Sequence, residues 1–202
     1  MWNRIVIYCS AILTLFIYTQ PAAGQENQRN LLLEAKLWNQ QGDTTRCTII
    51  YINQYDLQFK VSCIDTINNE VKYYGPKDLA GFSYIMSDDR VEFQSMPNPE
   101  DLGRKFLRIV YRGDITLYQH LEINYKTRYL SYLVSYFLWN GEWMLPPITQ
   151  AFEKESLLYH FSDCPELEYK IKTGEYGIIQ IREIVSEYES CELTDEYEFF
   201  YE

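Results

Sequence analysis

Apolar and polar residues alternate along the first part of the chain. Leu33, Ala35 and Leu37 alternate with polar neighbours up to a turn at residues 41–43, and residues 48–52 form a second, mostly apolar run. A period of two, interrupted by turn residues, predicts half-buried β-strands. We therefore expect a meander of hairpins from about residue 31 to residue 84.

The connection after residue 52 decides how two cysteines are placed. We expect a turn at residues 53–56 and a strand at residues 57–61, where apolar and polar residues again alternate. If the turn is centred near Tyr55, Cys47 and Cys63 lie opposite each other on neighbouring strands, close enough for a disulfide. Two free thiols are the alternative, because the register is uncertain. Both interpretations stay open.

The strongest strand signal lies between residues 106 and 145. Leu107, Ile109 and Tyr111 alternate with polar or smaller residues, and Gly113-Asp114 predicts a tight turn in which Gly adopts a positive φ. Residues 129–139 are almost all apolar or aromatic. Such a run predicts a central buried strand, or a strand whose outer face is also covered.

The hydrophobic period changes after Pro147. Apolar residues recur at three and four positions over residues 177–191, which predicts an amphipathic helix, and a shorter helix is expected over residues 163–173. Gly174 and Gly177 separate the two helices. The chain is therefore predicted to be an α+β domain, with a curved antiparallel sheet in residues 25–147, a C-terminal helical hairpin in residues 148–191 and an acidic tail in residues 192–202.

The N-terminus has the pattern of a secretory signal peptide. Arg4 precedes an apolar stretch of about 14 residues, and small residues follow up to Gly24. A membrane anchor would need roughly 18 or more apolar residues, so a span is disfavoured. We expect cleavage after residue 24 and export to the periplasm, the outer membrane or the exterior, with no membrane span in the mature chain.

The charge balance excludes one class of partner. The chain has 18 Lys and Arg against 29 Asp and Glu, and removal of residues 1–24 takes away only Arg4, which leaves a net charge of −12. Binding of nucleic acid requires the opposite sign, because phosphates must be neutralised. Anionic membrane surfaces are disfavoured for the same reason.

Cys164 and Cys191 bracket the predicted helical hairpin. Antiparallel helices joined by a short turn bring these two ends together, so the geometry predicts a disulfide. It would close a loop of 26 intervening residues. The loop-entropy model gives a stabilisation of roughly 3 kcal/mol.

Residues 160–164 contain a histidine, a hydroxyl, a carboxylate and a thiol. This combination is compatible with a nucleophilic site. It is better explained as a helix start, with Asp163 as N-cap, Pro165 in the first turn and Glu166 three positions after the cap. No catalytic residue, metal site or cofactor is predicted: His120 has no ligand neighbour at i+3 or i+4, and the neighbours of His160 at these positions, Asp163 and Cys164, are assigned to the helix start and the disulfide.

Aromatic residues supply the candidate binding surface. The chain contains 19 Tyr and 10 Phe, which first of all favour pleated, half-buried strands. Trp139 and Trp143 flank the Asn140-Gly141 turn, with Tyr132 and Tyr136 on the same predicted hairpin. Aromatic rings of this kind form platforms for sugars or peptide side chains. Packing in the core is the alternative.

Several short motifs occur together along the chain: Gly42-Asp43-Thr44, Tyr74-Gly75-Pro76-Lys77-Asp78-Leu79-Ala80-Gly81-Phe82, Leu117-Tyr118, Ser162-Asp163-Cys164-Pro165 and Tyr188-Glu189-Ser190-Cys191. In this order they resemble a family of uncharacterised exported proteins from Bacteroidota-type bacteria. The resemblance implies a compartment and a layout, and it supplies no activity and no catalytic residue.

The leading hypothesis from the sequence is a non-enzymatic protein of the cell envelope that binds a partner protein or a glycan through an aromatic face. An envelope hydrolase that uses Asp and Glu side chains is the alternative from a different class. A purely structural envelope protein is the third.

Overall fold

The computed structural model describes residues 31–65, 68–97, 103–126, 131–142 and 144–191. The predicted signal peptide (residues 1–24) and the acidic tail (residues 192–202) lie outside the described residues. Ten strands are described: β1 (Leu31–Trp38), β2 (Thr44–Tyr51), β3 (Val61–Ile64), β4 (Val71–Tyr74), β5 (Gly81–Met86), β6 (Asp89–Pro97), β7 (Arg104–Arg112), β8 (Thr116–Ile123), β9 (Tyr132–Trp139) and β10 (Ile148–Thr149).

The ten strands form one antiparallel sheet with the order β10-β9-β8-β7-β6-β5-β1-β2-β3-β4. Strands that follow each other in the chain pair with each other, except for β4 and β5, because β5 pairs with β1 instead. The sheet is open and curved, and helices follow it in the chain. This confirms the predicted α+β class.

Four α-helices are described: α1 (Gln54–Leu57), α2 (Glu153–Phe161), α3 (Pro165–Thr173) and α4 (Ile181–Tyr188). The predicted helical hairpin corresponds to α3 and α4, and Gly174 ends α3 with a left-handed φ of +78°. Helix α2 was not predicted. Only Leu157 and Phe161 of its residues are buried, so its apolar stripe is narrow.

The predicted strand at residues 57–61 is wrong, because a helical turn occupies its beginning. The side-chain oxygen of Asn53 accepts a hydrogen bond from the Asp56 N–H at 2.9 Å, and Asn53 Nδ2 donates to Asp56 Oδ2 at 2.8 Å. Asn53 is thus the N-cap of α1 and directs residues 54–57 into a helix. The following strand, β3, begins only at Val61.

This helical turn shifts the register between β2 and β3. Cys63 lies opposite Ile49 rather than Cys47, so the two cysteines are diagonal neighbours. Both are buried free thiols. Burial, followed by the contact with Cys63, raises the pKa of Cys47 above its usual range, which makes it an unreactive thiol. The described structure therefore corresponds to the free-thiol alternative.

The two faces of the sheet bury different groups. We define the inner face as the one that carries Ala35, Phe82 and Phe93, which belong to a core over the first half of the sheet. On the same face, the helices cover Leu117 and Leu138. The outer face is the opposite one, and on β7–β9 it buries Leu107, Tyr118 and Phe137.

Strand β9, which contains most of the apolar run at residues 129–139, buries side chains on both faces of the sheet. Leu138 packs under the helices, while Phe137 is buried on the outer face. The strand is not central, because only the two residues of β10 lie beyond β9. Of the two predicted explanations, the covered outer face is the one observed.

Gln58, the residue that follows α1, bridges β7 and β8 at the point where these two strands separate. Its side chain is 1% exposed, accepts a hydrogen bond from the Leu121 N–H at 2.7 Å and donates one to the Leu121 carbonyl at 2.8 Å. Its own carbonyl accepts from the Phe106 N–H at 2.9 Å. Pairing between β7 and β8 ends at Arg108. Beyond Arg108, the hydrogen bonds of Gln58 therefore take the place of direct hydrogen bonds between β7 and β8. They also join α1 to both strands.

The helical region is fixed to the sheet by a disulfide and by Glu189. Cys164 and Cys191 are bonded, with their Cα atoms 6.1 Å apart, as the sequence predicts. The Glu189 carboxylate accepts hydrogen bonds from the Tyr111 hydroxyl and the Ile115 N–H, both at 2.6 Å. These contacts dock the end of α4 on the turn between β7 and β8.

Glu189 also explains the glycine in this turn. The left-handed glycines of the described chain are Gly42, Gly141 and Gly174, so the positive φ predicted for Gly113 is not observed. A β-carbon at Gly113 would overlap the carboxylate of Glu189. Glycine is needed there for close approach and not for a left-handed backbone.

Glu189→Gln is expected to lower the free energy of unfolding by about 1–2 kcal/mol, because a neutral amide oxygen replaces a charged acceptor. The hydrogen bond to Glu189 is the main cause that raises the pKa of Tyr111. In the variant this pKa should fall back towards its ordinary value of 10.0. Urea unfolding and ultraviolet titration of tyrosine measure the two effects, and an unchanged tyrosine titration would contradict the contact.

Candidate functional site

The structure does not bring the four predicted binding residues onto one platform. Successive side chains of a strand point to opposite faces. Tyr132 and Tyr136 lie on the inner face of β9, opposite Ile123 and Gln119 on β8, whereas Trp139 lies on the outer face. Trp143 lies outside the described residues.

Trp139 and Tyr136 are engaged in packing. Trp139 is half-buried against the outer-face cluster that contains Tyr118 and Phe137. Tyr136 packs against the helical core, and its hydroxyl accepts a hydrogen bond from Gln119 Nε2 at 3.4 Å. Packing in the core, the alternative that the sequence left open, describes both residues better than a free platform does.

Tyr132 belongs instead to a row of aromatic rings that α1 completes. The rings of Tyr132 and Tyr55 are stacked, with centroids 5.6 Å apart and planes at 26°. Tyr55 meets Phe59 edge to face at 5.1 Å. We name Tyr132, Tyr55 and Phe59 the aromatic row. It joins the start of β9 to residues on and just after α1.

The aromatic row is open to solvent. Phe59 is 42% exposed, and Tyr55 and Tyr132 are half-buried. Lys105 Nζ lies 5.7 Å from the centre of the Phe59 ring, within the range of a cation–π contact. Partial burial, and then the neighbouring Tyr125, raise the pKa of Tyr55, so its hydroxyl stays protonated at neutral pH.

A network of polar side chains begins beside the row. Gln54, the residue before Tyr55, donates from Nε2 to Gln119 Oε1 at 2.8 Å. Arg108 Nη1 lies 3.4 Å from Gln54 Oε1 and 3.5 Å from Gln119 Oε1. Donors and acceptors thus lie next to flat apolar rings, a combination found in ligand sites.

Comparison with models of protein families, with curated proteins and with solved structures finds no match.

His160, Asp163 and Cys164, for which a helix start was favoured over a nucleophilic site, all have structural partners. Cys164 is in the disulfide, and His160 Nε2 lies 2.9 Å from the Pro146 carbonyl oxygen. Asp163 Oδ2 accepts from the Tyr188 hydroxyl at 2.7 Å, and Cys164 rather than Asp163 is the N-cap of α3. Pro165 lies in the first turn, as predicted.

The described parts of the chain contain no group of three or more His, Cys, Asp or Glu side chains arranged to hold a metal ion. No helix within them is both long enough and apolar enough to cross a membrane.

A separate groove of about 600 Å³ lies on the sheet at β2, β1, β5 and β6. Of the described residues in its lining, one carries a carboxylate, Glu34. The other charged side chains of the lining are those of Lys36, Arg46 and Arg90.

Tyr55 and Phe59 were not predicted as site residues from the sequence. The alternation over residues 57–61 was interpreted as a strand, which would turn Phe59 towards a sheet face. Asn53 followed by Asp56 three positions later is a local signal for a helix start. This signal could have identified α1, although it could not have located Tyr132 beside it.

Proposed function

We propose that the protein is an exported, non-enzymatic module that binds a glycan through the aromatic row. The proposal depends on one observation: Tyr132, Tyr55 and Phe59, which are distant in sequence, form a continuous and partly exposed series of rings.

The chemistry of the row suits a sugar ligand. The C–H faces of a sugar ring pack on an aromatic face, and Tyr and Phe lose little side-chain entropy on binding because they have few rotatable bonds. Gln54, Gln119 and Arg108 supply donors and acceptors for hydroxyl groups nearby. An apolar platform with a few oriented polar groups is typical of small-ligand sites.

The hydrolase alternative receives less support. A glycosidase uses a pair of carboxylates on either side of the bond that it cleaves. Among the described residues that line the groove on β2, β1, β5 and β6, Glu34 is the one carboxylate. At the aromatic row, the carboxylates near Tyr55 are those of Asp56 and Glu122, and that of Asp56 is hydrogen-bonded to Asn53 at the start of α1. We therefore propose a binding role.

Export is part of the same proposal. The disulfide between Cys164 and Cys191 supports it, because disulfides persist in oxidising compartments. The predicted signal peptide supports it from the sequence. We place the protein in the periplasm, at the outer membrane or outside the cell.

A glycan array, followed by calorimetric titration with a glycan that binds, tests the proposal. Phe59→Ala and Tyr132→Ala should each weaken binding by about tenfold, a loss of roughly 1.4 kcal/mol that corresponds to one stacked ring. Tyr169→Ala is the matched control, because Tyr169 is 66% exposed on α3 and lies outside the row.

Thermal unfolding of each variant must first show that the fold is retained. Binding of no glycan by the wild-type protein would contradict the proposal. Equal losses in Tyr169→Ala and Phe59→Ala would also contradict it, since the row would then have no special part in recognition.

A further inference from the structure

The groove across β2, β1, β5 and β6 contains two cations that face each other. Lys36 on β1 lies directly opposite Arg46 on β2, and both side chains are exposed in the groove lining. Like charges at directly opposite positions of an antiparallel pair are destabilising. This pair is therefore unfavourable for the fold itself.

The protein does not neutralise this pair. Within the described residues, neither Lys36 nor Arg46 forms an ion pair, although acidic residues outnumber basic ones by 29 to 18 in the chain. Arg90, the third cation of the groove, lies 3.8 Å from Glu92, whose carboxylate makes a closer contact of 2.9 Å with Arg112. Among the described residues that line the groove, three cations thus share it with one carboxylate, Glu34, and Glu92 lies beside it, opposite Ser83.

Ser83 adds an independent observation. It lies opposite Lys36 on the other side of β1, on the same face of the sheet, and it lines the groove. The residue is only 5% exposed, and no hydrogen bond of its hydroxyl is found in the described parts of the chain. Ser83 lines the groove beside Lys36, so its hydroxyl is placed to donate a hydrogen bond to a ligand there.

We propose that this groove binds the anionic group of a small ligand, a carboxylate, sulfate or phosphate. Arg46 and Arg90 offer forked donors that match such oxyanions, and Lys36 adds a point charge. Ser83 donates the remaining hydrogen bond. A volume of about 600 Å³ is within the range of small-molecule sites. The proposal is independent of the aromatic row, and either can fail without the other.

The test uses calorimetric titration of the purified protein at low ionic strength with inorganic phosphate, sulfate and glucuronate. The double variant Lys36→Gln/Arg46→Gln should weaken binding by about tenfold or more, since two of the three cations are lost. Lys126→Gln/Arg182→Gln is the matched control, because it removes the same two charges from exposed positions that do not line the groove.

Thermal unfolding supplies a second readout that separates ligand binding from simple structural damage. Without an added anion, Lys36→Gln/Arg46→Gln should unfold at the same temperature as the wild type or higher, because a repulsive pair is removed. Anion should raise the unfolding temperature of the wild type and of the control, but not that of the groove variant. Ser83→Ala should bind more weakly with its charges unchanged.

The probes also distinguish the source of the anion. Binding of phosphate or sulfate assigns the groove to a free oxyanion or its ester, and binding of glucuronate alone assigns it to an acidic sugar. The proposal is overturned if the wild type binds none of the three probes, or if the groove variant and the control bind equally well.

Discussion

Joint replacement of Cys164 and Cys191 by serine is expected to lower the free energy of unfolding by about 3 kcal/mol. The bond joins residues separated by 27 positions, and its loss restores the freedom of that loop in the unfolded chain. The same residues hold the start of α3 beside the end of α4. We therefore expect the helical region to loosen first.

Urea unfolding of the wild type and of the double serine variant measures this effect. A reducing agent should lower the stability of the wild type to that of the variant and should leave the variant unchanged. The assignment of the disulfide would be contradicted if the wild type unfolded at the same urea concentration with and without the reductant.

Gln58→Ala is expected to lower the free energy of unfolding by about 3 kcal/mol, because the N–H and carbonyl of Leu121 each lose a buried partner. Gln54→Ala is the matched control. Gln54 is another glutamine of the same region, but its hydrogen bonds go to side chains, so its loss should cost less than about 1 kcal/mol.

Gln58→Ala also tests how α1 supports the aromatic row. Gln58 attaches α1 to β8, so Gln58→Ala should also reduce glycan binding by displacing Tyr55 and Phe59 from Tyr132. Amide hydrogen exchange should show faster exchange at Leu121 in Gln58→Ala and not in Gln54→Ala. Equal stability of the two variants would contradict the role assigned to Gln58.

Most of the sheet and the helical hairpin could be predicted because their signals are local. The turn at Gly42 and the turn at Gly141 contain glycines with left-handed backbones, which are typical of hairpins. The position of Gly174 after α3 has the same cause. The Cys164–Cys191 bond follows once the hairpin is predicted, since the two cysteines lie at its ends.

The site could not be predicted because it depends on contacts that are distant in sequence. Gln58 binds Leu121, which is 63 positions away, and nothing near Gln58 in the chain reports this partner. Tyr55 meets Tyr132 only because the segment predicted as a turn, residues 53–56, forms the beginning of α1. The alternation of side chains along β9 was visible in the sequence, and it separates Trp139 from Tyr132.

The groove could not be predicted for the same reason, since it also depends on residues that are distant in sequence. Lys36, Arg46 and Ser83 are unremarkable as single residues, and only the pairing of β1 with β2 and with β5 places them side by side. A shift of one position in either register would turn one of the partners to the other face.

The most direct test of the proposed binding role is a titration of the purified protein with a glycan selected on the array, followed by carbon–proton NMR of the aromatic rings. The rings of Tyr132, Tyr55 and Phe59 should shift together and saturate with one binding constant, while those of Tyr159 and Tyr169 on the helices stay unchanged. Shifts confined to Trp139 or to the helical tyrosines, with the aromatic row unaffected, would contradict the account.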